Sequence, residues 1–444
     1  MKKLMNKGMK DKIYKISFNC ILMALITLSI SSCASDKKPD NSTKTTIEDS
    51  TEVITIREPL ETFNEINFYF ENSGSMNGYL EGKNFKQTMH RIIDDENPSF
   101  KPYFVNTKEY PTSNILSKID NNNIVTNGTN SSDHQFIFTN AIKNAVGNNL
   151  SIVVTDGIYS MPKGGVDIVE VEIEKSFVKA LNDNAIETVV LKMASNYKGT
   201  YYTESNCENV PIDQERPYYI LLFGNKQTID KALENIVVIE RLEGFKQQAR
   251  FFLTNNLKID YTVITQGEEK KGSFRKVGAK MHELVKEIED AERYESLNNK
   301  YLQFGIAVDY NNLSIPEQYL VETENYFVDE DTGYDVIEIK PTSNLSSASL
   351  SQYSIKQLTS KNIIKPTHII IVKAERNILG NLKIQLKNKF PTWISVAGQE
   401  EDCDIKGNTS QTFAFDKLMT GISKAYEIIT KKDEYFEIEI KIKN

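Results

Sequence analysis

The sequence predicts an α/β region with a parallel sheet under helices, followed by a β-rich, sandwich-like region. Three observations predict it. From Ile66 to about residue 245, apolar runs of strand length alternate with stretches of helical spacing. Beyond that point the apolar period becomes two. A polar, aperiodic stretch from 34 to 58, rich in Ser, Thr, Asp and Lys, precedes both and reads as a flexible tether.

In the first region the strand runs are Ile66–Phe70, Leu150–Thr155, Ile186–Met193 and Tyr218–Phe223. Ile137, Ala141 and Ala145, with Phe138 and Ile142, mark one buried helix stripe, and Phe177–Leu181 lies in a second helical stretch. In the second region the alternating sets are Leu257, Ile259, Tyr261, Val263; then Phe304, Ile306, Val308, Tyr310; then Leu382, Ile384, Leu386; and finally Phe436, Ile438, Ile440, Ile442. Lys and Glu fill the positions between, as in Glu437, Glu439, Lys441 and Lys443. Such strands bury one face, so an antiparallel sheet or sandwich is expected. Helical stretches are expected to interrupt it at 279–297 and 415–429. Trp393, after Pro391, is read as core, and no internal repeat of fixed period is present.

The N-terminus reads as an export signal. Lys2, Lys3, Lys7, Lys10, Lys12 and Lys15 precede an apolar run from Phe18 to Ile30, and Ser31-Ser32-Cys33 follows. That run is about 13 residues, short of the roughly 20 that span a bilayer. Ile30-Ser31-Ser32-Cys33 resembles a bacterial lipobox, with isoleucine where the family usually has leucine. The resemblance implies cleavage before Cys33, acyl chains such as palmitate on that cysteine, and a lipid-anchored protein outside the cytoplasm on the cell membrane or outer membrane. Two or three chains, at roughly 0.8 kcal/mol per buried methylene, hold where one would not. The chain then divides into signal peptide 1–32, lipidated cysteine and tether 33–58, an α/β domain 59–245 and a β-rich domain 246–444.

The full chain carries a net charge of -8, and loss of residues 1–32 removes six lysines and one aspartate, leaving -13. An acidic chain without a long basic run argues against nucleic acid as a partner. Of four cysteines, Cys20 leaves with the signal and Cys33 takes lipid; Cys207 and Cys403 remain, and an oxidising compartment permits one disulfide between them without requiring it.

The chemistry lies at the end of the first strand run, in Phe70-Glu71-Asn72-Ser73-Gly74-Ser75-Met76. Two serine hydroxyls two residues apart can fill neighbouring positions of an oxygen shell around a hard divalent cation, and the glycine between them is expected to sharpen the turn. Val153-Val154-Thr155-Asp156-Gly157 closes another apolar strand. Between them, Gly128-Thr129-Asn130-Ser131-Ser132-Asp133 offers hydroxyls just before a helix stripe.

These three loops, in this order, resemble the metal-ion-dependent adhesion site of von Willebrand factor A domains, Asp-x-Ser-Gly-Ser-Met with a threonine and an Asp-Gly loop beyond. The resemblance covers residues 60–240. It implies a Rossmann-like von Willebrand A-type domain. Its metal ligands would be Glu71, Ser73, Ser75, Ser132 and Asp156, with Ser131 second and Thr129 third for the second loop. Thr139 falls inside the helix, too near Asp156. Magnesium is the expected ion, with Mn2+ or Ca2+ as alternatives. Glu71 departs from the family's aspartate; its extra methylene suits a flexible Ca2+ shell better than a rigid Mg2+ shell, or lets it replace a bridging water. The bland alternative is that the serines only cap the following helix.

In open parallel sheets ligands bind beyond the carboxyl ends of the strands. Loops there carry Tyr159 and, in the stretch 195–217, Tyr197, Tyr201 and Tyr202, which are partner-contact candidates. The expected function is a membrane-tethered, metal-dependent protein-binding module of the cell envelope, whose partner offers a carboxylate as the last ligand. The alternative is a metal-independent structural subunit of an envelope complex, and a hydrolase is the third choice. His282-Glu283 lacks the second histidine of a zinc-protease helix, and no Gly-x-Ser-x-Gly elbow or phosphate loop is present. His90, His134 and His368 are isolated in sequence, and His134 is read as a surface residue.

Overall fold

The computed structural model describes residues 63–160, 165–205, 207–255, 257–278, 283–297 and 299–444. The expected signal peptide, Cys33, the expected tether and His282 lie outside the described residues. Among the described residues no helix is long and apolar enough to cross a membrane.

The first sheet holds β1 (Ile66–Glu71), β2 (Phe100–Val105), β3 (Glu109–Pro111), β4 (Leu150–Thr155), β5 (Glu187–Tyr201), β6 (Val210–Gly224) and β7 (Phe245–Phe251). Their order is β3-β2-β1-β4-β6-β5-β7. Every residue of β1 and β4 is buried, as central strands covered on both faces require. Around them lie α1 (Lys83–Ile92), α2 (Ile115–Asp120), α3 (His134–Asn144), α4 (Asp167–Leu181) and α5 (Lys226–Asn235). Helix α3 starts because the Asp133 carboxylate accepts from the Phe136 amide at 2.9 Å. Helix α4 buries Val169, Ile173, Phe177 and Leu181, one stripe at four-residue spacing.

The expected parallel sheet is only partly present. β1 runs parallel to β2 and β4, but β6 pairs antiparallel with β4, and β5 antiparallel with both β6 and β7. The stretch 195–217, expected to be a loop, is mostly the two arms of the β5–β6 hairpin. Its signal is an alternation in which Ser195, Tyr197 and Tyr201 are buried while Asn196 and Lys198 face solvent. Serine and glycine on the buried face hide that period from a search for apolar residues.

The second region begins with β8 (Asp260–Val263), β9 (Ser273–Lys276), β10 (Glu287–Glu292), β11 (Tyr294–Ser296) and β12 (Asn299–Asp309). After α6 (Glu317–Val321) come β13 (Tyr326–Val328), β14 (Tyr334–Pro341), α7 (Leu350–Ser360), β15 (His368–Ala374) and β16 (Gly380–Lys387). Then follow α8 (Thr392–Ala397), β17 (Gly398–Gln399), β18 (Thr412–Phe413), α9 (Phe415–Thr430) and β19 (Glu434–Ile442). One sheet has the order β13-β16-β19-β10-β9, and the other β11-β12-β15-β14 with β8 also on β12. Leu302, Phe304, Ile306, Ile370 and Val372 of one sheet share a core with Leu382, Ile384, Phe436, Ile438 and Ile440 of the other.

Two expectations fail here. Residues 283–297 of the expected helix 279–297 hold β10 and β11 instead. Their glutamates favour a helix, but pairing with β9 and β19 and full burial of Ile288 override that propensity. The assignment of all of 246–444 to a second domain also differs from the packing. β7 completes the first sheet, and residues 394–426 return to the first core through Ile394, Phe413, Phe415, Leu418, Met419, Ile422 and Tyr426. Residues 61–444 form one compact unit.

The helix expected at 415–429 is α9, and it packs on α4. At Gly421 the approach is so close that a Cβ would lie 2.6 Å from the Glu170 carbonyl oxygen. Phe415 stacks on Tyr219 with centroids 3.7 Å apart, and Trp393 donates to the Gln248 carbonyl at 3.1 Å, packed against this core. A disulfide joins Cys207 to Cys403, their Cα atoms 5.6 Å apart across 196 residues of sequence.

Candidate functional site

Three loops meet at the carboxyl ends of β1 and β4 and the start of α3. Glu71 is the last residue of β1 and is 1% exposed. Ser73 and Ser75 follow in a turn that enters a short 3-10 segment, Ser75–Tyr79, whose N-terminus has no side-chain cap. The serines face each other instead, their Oγ atoms 3.1 Å apart, and Ser75 donates to Asp156 Oδ2. Gly74 is not there for its turn, since its φ of -63° suits any residue. Its place is set by packing, since a Cβ would come 2.9 Å from the Tyr202 ring and push that ring aside. Gly157 does need its freedom, with φ of +70° just after Asp156.

Glu71, Ser73, Ser75, Asn130, Ser131 and Ser132 line one cavity of about 80 Å³, with Ile158, Ser160, Tyr202 and Glu204 closing it. Of the three second-loop hydroxyls, Ser132 is buried, Ser131 is exposed, and Thr129 accepts from the Ser131 amide within its own loop. Ser132 Oγ has no hydrogen-bond partner, although it lies near enough to Glu71 to help hold that carboxylate.

The two carboxylates are held differently. Thr155 Oγ1 donates to Glu71 Oε2, and the Asp156 amide reaches the same oxygen at 3.3 Å. Asp156 Oδ1 accepts from the Ile158 amide at 2.9 Å. Burial, then the charge of Glu71, pushes the Asp156 carboxyl up to about 7. Burial raises Glu71 as well, against the hydroxyls and amide that favour its charged form.

His134 is not on the surface as expected but 1% exposed. Its Nε2 stands 3.1 Å from Thr155 Oγ1 and 3.8 Å from Glu71 Oε2. Because Thr155 gives its proton to Glu71, His134 must donate to Thr155 from Nε2. Burial holds the imidazole down to about 4, so it is neutral at pH 7, and Nδ1 is left bare without a partner. The chain His134, Thr155, Glu71 therefore fixes the first carboxylate. Sequence reasoning missed it because a histidine after an N-cap aspartate resembles any helix start.

Three of the four tyrosine contact candidates are corrected. Tyr159, Tyr197 and Tyr201 are buried at 5%, 1% and 0% exposure. Tyr159 donates to Glu172 on α4 and stacks near His134. Tyr197 and Tyr201 enclose the buried Arg216 guanidinium, whose centre lies 5.9 and 4.5 Å from their rings. Only Tyr202, 38% exposed, remains at the surface, at the rim of the cavity.

Among the described residues no three His, Cys, Asp or Glu side chains gather as a metal cluster. A cation here would instead take hydroxyl and carboxylate oxygen, which is what a hard divalent ion accepts. The residues fit such an ion in two respects: a buried hydroxyl without a hydrogen-bond partner, Ser132, lines the space, and two buried carboxylates, Glu71 and Asp156, lie beside it, held by hydroxyls and amides. A larger cavity of about 530 Å³ lies beside His368 in the second region, where Thr342, Thr359 and Thr367 donate to backbone carbonyls. No protein-family model, curated protein or solved structure matches the chain.

Proposed function

We propose that this is a lipid-anchored, extracytoplasmic cell-envelope protein whose first region is a von Willebrand A-type variant that binds a protein partner through a divalent cation. The observation that carries the reading is the meeting of Glu71, Ser73, Ser75 and Ser132 on one cavity, with Asp156 bonded to Ser75. The parallel trio β2-β1-β4, with the serine turn after β1 and Asp156-Gly157 after β4, supports the family reading; the antiparallel β5–β6 hairpin is a departure from it. These residues would hold Mg2+, or Mn2+ or Ca2+, and the ion would supply a positive centre for a partner's carboxylate. The disulfide fits an oxidising compartment, as export through Cys33 requires.

Metal binding to the folded state raises stability by roughly 2.7 kcal/mol when the free ion is at 100 times its dissociation constant. The melting temperature of the full chain should rise with Mg2+ or Mn2+, and Asp156→Ala should abolish the rise. Glu71→Asp should keep or strengthen the Mg2+ response. No response to millimolar Mg2+, Mn2+ or Ca2+ would leave the second reading, a metal-independent structural subunit. One observation favours that second reading: Ser75–Asp156 and Thr155–Glu71 bonds already satisfy much of the site without an ion.

The anchor is tested separately. Cys33→Ala should leave an uncleaved or soluble protein that takes up no labelled fatty acid, and equal labelling of variant and wild type would exclude lipid on that sulfur.

A further inference from the structure

The β5–β6 hairpin ends in a tip whose described residues, 202–205 and 207–209, have left the sheet, with Tyr202 and Glu204 over the candidate site. Two of its residues line the cavity: Tyr202, whose ring covers Gly74, and Glu204. A hairpin tip is ordinarily a fraying end. This one is fastened from the far side. Asp402, wholly buried, accepts from the Glu204 amide at 2.9 Å and the Ser205 amide at 3.0 Å, and its own amide donates to Ser205 Oγ at 3.2 Å. The Cys207–Cys403 disulfide adds a covalent tie one residue along.

Resting on the metal reading above, we infer that Glu204 supplies from within the chain the carboxylate that a partner would otherwise offer, and that the Asp402 and Cys403 anchors hold this cap in place. Three observations carry it. Glu204 is the one carboxylate of the cavity lining that lies on neither β1 nor the three loops. About 80 Å³ is a small space, enough for an ion with a few waters, and Tyr202 and Glu204 of the tip already form part of its wall. The Ser132 hydroxyl, which has no hydrogen-bond partner of good geometry and lies near Glu71, lines the same space, so the cavity offers a neutral oxygen ligand besides its carboxylates. The closed tip therefore makes the module self-capped, and partner binding requires the tip to swing away.

The test is a titration of Mn2+ into the full chain in detergent, by calorimetry and by water-proton relaxation, with and without acetate as a free carboxylate. Wild type should bind Mn2+ and ignore acetate. Glu204→Gln should bind Mn2+ more weakly, by roughly tenfold or more, since even a lost outer hydrogen bond at a metal costs that much. Acetate should then restore part of the affinity. The double variant Cys207→Ser with Cys403→Ser should also respond to acetate, because it frees the tip while keeping Glu204. Mn2+ affinity unchanged in Glu204→Gln, with no acetate response in either variant, would overturn the cap and leave the metal site standing. Absence of Mn2+ binding to wild type would overturn both.

Discussion

A fragment ending at residue 245 will not fold cooperatively. It lacks most of β7 and the whole of α9, and with them the buried side chains of Ile394, Phe413, Phe415, Leu418, Met419, Ile422 and Tyr426 that complete the first core. At roughly 1.5–3 kcal/mol for each large apolar side chain, their loss is comparable with the 5–15 kcal/mol by which whole domains are stable. Residues 59–245 alone should show no sigmoidal melt and no metal response. A smaller version of the same test is Phe415→Ala in the full chain, which removes the ring stacked on Tyr219 and should cost about 3–5 kcal/mol. A fragment 59–245 with a sharp thermal transition would show that α9 only decorates a core that is complete without it.

Why the sequence suggests that cut is instructive. Periodicity shows which face of a helix is apolar, and the stripe of α9 is plain in Phe415, Leu418, Met419 and Ile422; it is silent on what the face meets. The same holds for the disulfide, since two cysteines 196 residues apart carry no information on distance. β1 and β4 were legible because a strand buried on both faces is apolar throughout. The far halves of β5 and β6 were not, because their buried positions include Ser195 and Arg216, which no apolar pattern reports. The site was more legible than the fold around it. Its ligand candidates follow directly on strands whose ends are visible in the chain: local order joins Glu71, Ser73 and Ser75, and the parallel pairing of β1 with β4, Phe70 opposite Val154, sets Asp156 beside them. What local order could not supply was the fourth wall, the tip with Tyr202 and Glu204, or the histidine behind Glu71.

Asp156→Asn should make the metal-free protein more stable while destroying its response to metal. In the unfolded chain an aspartate titrates near 3.9, whereas burial and Glu71 push the folded Asp156 up to about 7. Between those values the folded state keeps a proton that the unfolded state has lost, so stability falls as pH rises, by about 1.4 kcal/mol per unit. The contribution is fully present below pH 4 and gone above about 7, a total on the order of 4 kcal/mol. His134 works the other way. Held down to about 4, it costs stability as pH falls below its unfolded value near 6.5, so the raw pH profile mixes both groups. The difference between variant and wild type isolates Asp156. Asparagine keeps the shape, and its carbonyl oxygen can still accept from Ser75 or Ile158. The stability gap in favour of the variant should therefore open from pH 4 and level off above 7, where melting should be higher by several degrees. Mg2+ should then close the gap from the wild-type side only, and its affinity for wild type should weaken about tenfold per unit below pH 7, where the ion must displace the proton. A metal-free variant that melts below wild type at pH 8 would show that the Asp156 charge stabilises the fold by itself, and that no cation is needed to balance the pair.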